Sequence, residues 1–177
     1  MIDCVGYLVD GALGDSEEGE PRMVHTPWSE EPIPFSEAAT IGTERVIRDH
    51  ATVGILVTTD GTIGEIPRAA YLPAEERAAG ELRALGKPFA MILNSVNPTS
   101  ESAMHLAYEL EEKYGVPVAL VSCLELDAED IRHILELVLH EFPVAEIALH
   151  LPEWTRALDA EHPIRRSLLQ SIRRCAD

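Results

Sequence analysis

The sequence predicts an α/β fold in which a mostly parallel β-sheet is covered by helices on both faces. Short apolar segments of strand length alternate along the chain with longer segments of helical periodicity. The apolar segments are nearly continuous rather than alternating with polar residues, as expected for strands that are buried on both faces. Ligands of such sheets bind outside the carboxyl ends of the strands, so the residues that follow each strand are the candidates for a functional site.

The composition is that of a globular protein with a strongly acidic surface. The 177 residues are 46% apolar and 25% charged, and a chain of this length can form one domain with a substantial core. Acidic residues number 31 against 14 lysines and arginines, a net charge of -17 that disfavours a nucleic-acid partner. The three scattered cysteines indicate free thiols in a reducing compartment such as the cytoplasm. No apolar segment is long enough to span a membrane.

The chain opens with an apolar segment, residues 2–7, that we interpret as a buried strand. It contains Asp3 and, three residues later, Gly6. In a nucleotide-hydrolysing site, such a carboxylate faces the hydrated magnesium ion and an unhindered glycine amide approaches the terminal phosphate. A strand that runs into a turn also often ends in Asp and Gly for conformational reasons alone. The motif by itself is therefore a weak indication of function.

The next segment, residues 10–34, is rich in Gly, Pro, Asp and Glu and predicts a long exposed loop. Trp28 lies in it, either as part of a second active-site loop or as an aromatic anchor that holds the loop to the domain. Ser36 is the predicted cap of a helix that extends to about residue 50. Residues 53–57 predict a buried strand, which a turn follows.

Two further pairs of helix and strand are predicted in the middle of the chain. Pro73 is expected at the first position of a helix, since proline is well tolerated there. Residues 89–93 predict a strand, and a cap at Thr99 or Ser100 begins a helix that ends at Gly115. The apolar segment that follows predicts one more strand.

The last third of the chain is predicted to be mainly helical. Asp127 caps a segment with a single apolar stripe, which Pro143 ends. Apolar and polar residues alternate in residues 147–151, a pattern typical of an edge strand. A helical segment is expected from residue 152 onward.

Polar residues follow the strands where a nucleotide-binding sheet reads the base. Asn94 and Ser95 stand where an Asn-Lys-x-Asp motif would contact the base, and Ser122 and Cys123 where a Ser-Ala loop would support it. Each residue is also explained as a turn former or a helix cap. Asn97 occupies the position of the guanine-reading aspartate, and an amide does not accept two hydrogen bonds as a carboxylate does. The pattern therefore favours adenine or a poorly specified base.

The sequence does not identify the residue that would position the attacking water. Tyr7 stands where many GTPases keep a glutamine for this purpose, so another group has to orient the water. Thr58, Thr59 and Asp60 are weak candidates, and a plain turn is the alternative for them. The histidines lack the spacing of a zinc site, and no Gly-x-Ser-x-Gly motif indicates a hydrolase elbow.

Longer strings of the sequence resemble the stage IV sporulation protein A family, the ATP-hydrolysing coat morphogenetic proteins of endospore-forming bacteria. The resemblance extends from residue 1 to the end of the chain and is carried by residues 3–7, 23–28, 33–43, 57–61, 66–68 and 86–95. It implies a three-layer P-loop NTPase fold of the GTPase-like type that hydrolyses ATP with Mg²⁺. Asp3 is similar to the Walker B aspartate, which would hold Mg²⁺ through water, and Gly6 to its phosphate-facing glycine. Asn94, Ser95, Ser122 and Cys123 would line the base pocket.

The resemblance also implies a cellular role. Family members self-assemble into a layer beneath the spore coat, in the mother-cell cytoplasm at the forespore surface. A small amphipathic membrane peptide recruits them, and other coat proteins are partners. No membrane span and no nucleic acid are expected.

The chain departs from the family pattern in its extent. Family members have a Gly-rich Walker A loop before the position of Asp3, and this sequence does not contain it. Residues 1–151 are thus expected to be the C-terminal part of the ATPase domain, without its N-terminal strands, and residues 152–177 a helical extension towards a following domain. We expect the chain alone to be inactive.

Two alternatives remain open at this point. The chain could be a non-catalytic assembly module that keeps the fold without a nucleotide. A phosphoacceptor receiver domain also places Asp and Thr at strand ends, but it needs a lysine after a late strand, and the residues after the fourth predicted strand supply none.

Overall fold

The computed structural model describes residues 2–17, 19–142, 150–155, 157–159 and 161–176, without the side chains of residues 175 and 176. Contacts divide the chain into two units, residues 1–143 and residues 144–177. The first unit contains all the described strands and four of the described α-helices. The second contains a short 3-10 turn and one α-helix.

The first unit begins with an irregular segment followed by two small hairpins and then alternates helices with strands. Its strands are β1 (Ser16–Glu17), β2 (Glu20–Pro21), β3 (Met23–Thr26), β4 (Ser29–Pro34), β5 (Gly54–Thr59), β6 (Phe89–Asn94) and β7 (Val118–Val121). Its helices are α1 (Phe35–Arg45), α2 (Arg68–Ala84), α3 (Glu101–Tyr114) and α4 (Ala128–His140). A π-helical turn, Val46–His50, continues α1. The second unit has the 3-10 turn Glu153–Thr155 and α5 (Pro163–Ala176).

The main sheet is parallel, with the strand order β5-β6-β7. Thr59 pairs with Asn94, and Asn94 pairs with Val121, so the carboxyl ends of the three strands lie side by side. This arrangement confirms the predicted α/β class. It also places the residues that follow the strands at one edge of the sheet.

The central strand β6 is covered on both faces because alternate side chains point to opposite sides. Phe89, Met91 and Leu93 pack into the core that α2 and α3 share. Ile92 packs on the other side against Ile134 of α4. Met91 and Leu93 are fully buried, and each such side chain contributes about 2 to 3 kcal/mol of transfer free energy.

Within the part of the chain that the structure describes, strand β5 is covered on one face and largely exposed on the other. Leu56 is buried in the core with α2, whereas Ile55 and Val57 are 39% and 60% exposed. Val57 is paired with Ile92, so it points to the face on which α4 packs against β6 and β7. No described strand pairs with the outer edge of β5.

Three helix boundaries confirm the sequence predictions. Ser100 caps α3 by accepting a hydrogen bond from the Ala103 backbone at 3.2 Å. Gly115 ends the same helix in the left-handed conformation, with φ of 55°. Asp127 caps α4 in a capping box with Asp130.

The opening segment corrects a prediction, because residues 2–9 form no strand. A strand needs a neighbour to satisfy its backbone groups, and a cavity separates this segment from β5. The prediction of one long loop over residues 10–34 was also wrong, because most of this segment folds into the hairpins β1–β2 and β3–β4. The ring of Trp28 lies beside Gly42 and Arg45 of α1, so Trp28 anchors its hairpin.

Two helices begin earlier than predicted. Helix α1 starts at Phe35 after Pro34, so Ser36 lies in its first turn and is not its cap. Helix α2 starts at Arg68, so Pro73 lies inside it. The preceding Pro67 has an extended backbone that suits a cap position, and the residues between the two prolines include good helix formers.

The predicted edge strand at residues 147–151 falls mostly outside the described residues. Residues 150 and 151 are described and have no regular structure. Helix α5 lies within the segment that was predicted to be helical. Among the described residues, no helix is long and apolar enough to cross a membrane.

Candidate functional site

A cavity of about 440 Å³ separates the opening segment from the sheet. Residues 2–7 and Val9 form one wall, and β5 residues 54–58 form another. The end of α1, the π-helical turn after it, and α2 close the remaining sides. The cavity therefore lies beside the open edge of β5, where a parallel sheet would accept another strand.

Asp3 and Gly6 both line this cavity. Asp3 is exposed, so its carboxylate is accessible to solvent. Gly6 has φ of 81°, a conformation that side chains rarely adopt, and no atom lies within 4 Å of the position that its Cβ would occupy. The backbone conformation thus favours glycine here, and the space around it is open.

The polar floor of the cavity is organised around Glu75, which is only 4% exposed. Thr58 donates a hydrogen bond of 2.7 Å to its Oε2, and Arg68 forms an ion pair with the same oxygen at 2.7 Å. Tyr114 donates to Oε1 at 2.8 Å. The buried carboxylate is therefore paired and hydrogen-bonded, as burial of a charge requires.

Thr43 supplies a second polar group to the cavity wall. The residue is 4% exposed, and its Oγ1 has no hydrogen-bond partner among the described residues. A buried polar group without a partner costs about 1 to 3 kcal/mol, so a group that entered the cavity could gain a hydrogen bond here.

The predicted base-pocket residues lie at the carboxyl ends of β6 and β7 and do not line the cavity that holds Asp3 and Gly6. The side-chain oxygen of Asn94 accepts a hydrogen bond of 2.9 Å from the Cys123 backbone, which joins the two strand ends. The Cys123 thiol is exposed, and partial burial raises its pKa.

Ser95 and Ser122 complete this group of residues. Ser95 is 1% exposed, and its hydroxyl accepts from the Asn97 backbone at 3.1 Å. The backbone carbonyl of Ser122 accepts a hydrogen bond of 3.0 Å from the Glu125 backbone, which forms the turn after β7. These local contacts thus order the loops that follow β6 and β7.

Thr59 and Asp60 both make hydrogen bonds within the turn after β5, and this structural role accounts for their presence. Thr59 accepts a hydrogen bond from the Gly61 backbone at 3.1 Å, and Asp60 accepts from the Thr62 backbone and hydroxyl at 2.9 and 2.6 Å. Although burial opposes the change, hydrogen bonds from Ser95 and Thr62 lower the pKa of the Asp60 carboxyl. These are the contacts of a turn.

The lysines of the sequence are engaged away from the carboxyl edge of the sheet. Lys87 donates to the Ala51 carbonyl at 2.7 Å, near the start of β5. Lys113 forms an ion pair of 2.7 Å with Glu76 between α3 and α2. Neither lysine is therefore in place to contact a phosphate at the strand ends.

The donor set at Asp3 suits a magnesium ion that a nucleotide brings with it. The part of the chain that the structure describes contains no group of three or more His, Cys, Asp or Glu side chains that could hold a metal by itself. Magnesium is commonly bound by one or two carboxylates together with waters and substrate phosphates. A single exposed carboxylate beside an open cavity fits that mode.

Sequence reasoning missed the network around Glu75 and the contacts of Tyr7 with α2. Tyr7 donates a hydrogen bond to Glu81, and Arg77 stacks on its ring. The spacing of Arg77 and Glu81 alone predicts an ion pair along a helix. The sequence gives no local signal that Tyr7 joins this pair, because Tyr7 lies 74 positions before Glu81.

The three-stranded parallel sheet flanked by helices is consistent with the fold of the P-loop NTPase class. The sequence profile of the Stage IV sporulation protein A ATPase domain matches residues 1–143. The chain belongs to the Stage IV sporulation protein A family.

Relatives in three bacteria agree with this assignment. The chain is 48% identical to the Stage IV sporulation protein A of Clostridioides difficile (strain 630) over 173 residues, and 48% identical to that of Bacillus anthracis over 172 residues. It is 47% identical to that of Bacillus subtilis (strain 168) over 173 residues. The alignments cover 97% to 98% of the chain and 35% of each relative. No solved structure matches significantly.

Proposed function

We propose that the chain is part of an ATP-hydrolysing scaffold protein that self-assembles beneath the bacterial spore coat during sporulation. Its relatives are sporulation proteins, and the matching family profile is that of an ATPase domain. In this proposal the protein acts in the mother-cell cytoplasm at the forespore surface. Its partners are other copies of itself, a small amphipathic membrane-anchoring peptide and other coat proteins.

Each predicted site residue has a role in the proposed ATPase. Asp3 holds Mg²⁺ through water, and the Gly6 amide faces the terminal phosphate. The loops that contain Asn94, Ser95, Ser122 and Cys123 hold the base. The exposure of Asp3 and the open space at Gly6 support the first two roles.

The cavity between the opening segment and β5 is the observation that carries the proposal. In a GTPase-like sheet, the strand that leads into the Gly-rich phosphate loop lies between the strand of the Asp-x-x-Gly motif and the strand that corresponds to β5. The position of the cavity, the open edge of β5 and the exposed Val57 all fit such a strand. We infer that residues 1–151 are the later part of the ATPase domain and that residues 152–177 extend towards a following domain.

The chain alone is therefore expected to be inactive. Neither Lys87 nor Lys113 is in place to contact a phosphate, because both are engaged elsewhere. Phosphate release and the anisotropy of a fluorescent ATP analogue, measured on the purified 177-residue chain, should show no magnesium-dependent turnover and no tight binding. Measurable turnover would contradict this expectation.

The active form can be tested with a chimera. The Gly-rich segment of a full-length relative is fused before Met1, and ATP hydrolysis is measured with and without Mg²⁺. We expect turnover that Asp3→Asn lowers by about a thousandfold, since it removes the metal-facing carboxylate. Asp10→Asn is the matched control, because Asp10 is exposed and has no assigned role.

The outcomes separate the proposal from its alternative. A folded chimera that neither binds nor hydrolyses ATP but still assembles would indicate a non-catalytic assembly module. A chimera in which Asp3→Asn and Asp10→Asn have equal effects would remove Asp3 from the site.

A further inference from the structure

A side-chain cluster fixes the opening segment to two helices. The Tyr7 hydroxyl donates a hydrogen bond to Glu81 of α2, and the guanidinium of Arg77 lies over the Tyr7 ring at 4.2 Å from its centroid. Arg77 Nε donates to the other oxygen of Glu81 at 3.1 Å. Its Nη2 reaches Glu44 of α1 at 2.8 Å. We call Tyr7, Arg77, Glu81 and Glu44 the tyrosine clamp.

The clamp provides the fixed contact of the segment that carries Asp3 and Gly6. Among the described residues, the bond from Tyr7 to Glu81 is the one hydrogen bond that residues 2–8 make. Burial and then the bond to Glu81 raise the pKa of Tyr7, so its hydroxyl keeps its proton at neutral pH. The donor role of Tyr7 is therefore constant under physiological conditions.

We propose that Arg77 is a positioning residue that acts through Tyr7 to hold Asp3 and Gly6 at the cavity wall. Tyr7 directly follows Gly6 and lies four positions after Asp3. A displacement of the ring from α2 would move the Gly6 amide and the Asp3 carboxylate together. The catalytic consequence rests on the proposed ATPase function, whereas the structural consequence does not.

The side chains of the tyrosine clamp are partly exposed, so its loss should affect the position of the opening segment more than the stability of the fold. The side chain of Arg77 is 45% exposed, and those of its partners Glu44 and Glu81 are 37% and 26% exposed. Ion pairs at such exposed sites contribute little to the free energy of folding. Misplacement of catalytic groups by about 1 Å can lower a rate a hundredfold. Loss of the clamp should therefore affect turnover far more than unfolding.

The first test follows the mobility of the opening segment in the 177-residue chain. Cys4 is exposed and lies between Asp3 and Gly6, so a nitroxide label on its thiol reports the motion of this segment once Cys123 and Cys175 are replaced by serine. We expect Arg77→Met to shift the spectrum of the label from a slow to a fast component. Tyr7→Phe keeps the ring under Arg77 but removes the hydrogen bond, so it should give a smaller shift.

Arg132→Met in α4 is the matched control for the loss of an arginine. Arg132 pairs with Glu136 at the same spacing of four residues as Arg77 with Glu81, but it lies outside the clamp. This variant should leave the label unchanged. An unchanged spectrum in folded Arg77→Met and Tyr7→Phe would overturn the proposal.

The second test measures kinetics in the ATPase chimera. Arg77→Met should lower kcat by about tenfold to a hundredfold, while KM for ATP changes less than threefold, because the clamp positions phosphate-side groups and not the base pocket. Arg77→Lys retains the charge without the planar fork and should recover part of kcat. If Arg77→Met mobilises the label but leaves kcat equal to that of the wild type, the tyrosine clamp orders the opening segment without affecting catalysis. That result would overturn the catalytic part of the proposal. A wild-type chimera without activity would count against the ATPase proposal and leave the result of the first test standing.

Discussion

Tyr114 donates a hydrogen bond of 2.8 Å to the carboxylate of Glu75, a residue that is only 4% exposed. The bond connects the end of α3 to the middle of α2, while Thr58 connects the same carboxylate to β5. Three elements of the domain thus meet at one buried charge. Because a buried charge tolerates the loss of a partner poorly, the stability of the domain should depend on this contact.

Tyr114→Phe should lower the free energy of unfolding by about 1 to 3 kcal/mol, because it leaves one oxygen of a buried carboxylate without a donor. Urea denaturation followed by circular dichroism measures the change. Tyr108→Phe is the control, since Tyr108 lies on the same helix and is 72% exposed. A loss that is equal in both variants would show that the contact with Glu75 does not stabilise the fold.

Arg68→Met should be more damaging than Tyr114→Phe, because it removes the cation that faces Glu75 at 2.7 Å. We expect a loss of about 3 kcal/mol, typical of a buried carboxylate left without its counter-charge. The double variant Arg68→Met/Glu75→Gln should recover part of this loss because the unpaired charge is gone. Strictly additive effects in chemical denaturation would contradict a direct pair.

Gly61→Ala should destabilise the turn after β5 by about 2 kcal/mol or more, since its φ of 87° disfavours a side chain and its Cβ would lie 2.8 Å from the Arg68 backbone nitrogen. Thermal unfolding measures the effect. Gly64→Ala is the control, because no atom lies within 4 Å of its Cβ position. That variant should differ from the wild type by less than about 0.5 kcal/mol.

Asn94→Ala should loosen the loop after β7, because the side chain of Asn94 holds the Cys123 backbone at 2.9 Å. We expect a loss of about 1 kcal/mol in unfolding free energy and a faster reaction of Cys123 with iodoacetamide. Peptide mass spectrometry separates the thiols, and the rate at Cys4 provides the internal reference. An unchanged rate at Cys123 would show that the loop keeps its structure without Asn94.

Stability should fall as the pH decreases below about 4, the usual range of an aspartate pKa. Backbone hydrogen bonds from Asp130 and Glu129 lower the pKa of Asp127. For Asp60, burial opposes the change, but hydrogen bonds from Ser95 and Thr62 together lower the pKa. A group with a lowered folded pKa contributes stability above its unfolded pKa and loses it as the pH falls through the folded value.

Asp127→Asn tests this pH dependence, because asparagine still caps a helix but does not titrate. Thermal unfolding between pH 2.5 and 7, a range chosen to span the aspartate titration, should show a shallower decline for this variant than for the wild type. Asp10→Asn should follow the wild type, since no described hydrogen bond involves its side chain. Parallel curves for all three proteins would contradict the assigned role of the cap.

The sequence predicts the elements whose signals are local. The caps at Ser100 and Asp127 and the terminator Gly115 are correct because each uses hydrogen bonds or backbone angles within one turn of helix. The strands β6 and β7 follow from continuous apolar segments. The alternation of these segments with helices gives the α/β class, and family resemblance adds the P-loop NTPase fold, with which the parallel sheet is consistent.

Interactions between distant parts of the chain are not visible in the sequence. The segment around Asp3 reads as a strand, but strand formation depends on a neighbour that only the tertiary structure supplies. Glu75 looks like any charge on a helix until Arg68, Thr58 and Tyr114 surround it. The roles of Asp3, Gly6 and the base-pocket residues remain predictions, since their geometry alone does not test them.

The open edge of β5 has a consequence for the behaviour of the protein in solution. Among the described residues no strand pairs with the outer edge of β5, and such an edge, with Ile55 and Val57 exposed beside it, is a template for unwanted pairing between chains. The net charge of -17 opposes this pairing, because like-charged chains repel each other before their edges meet. Salt shortens the range of this repulsion to about 8 Å at physiological ionic strength. We therefore expect pairing between chains at this edge to become more frequent as the ionic strength rises.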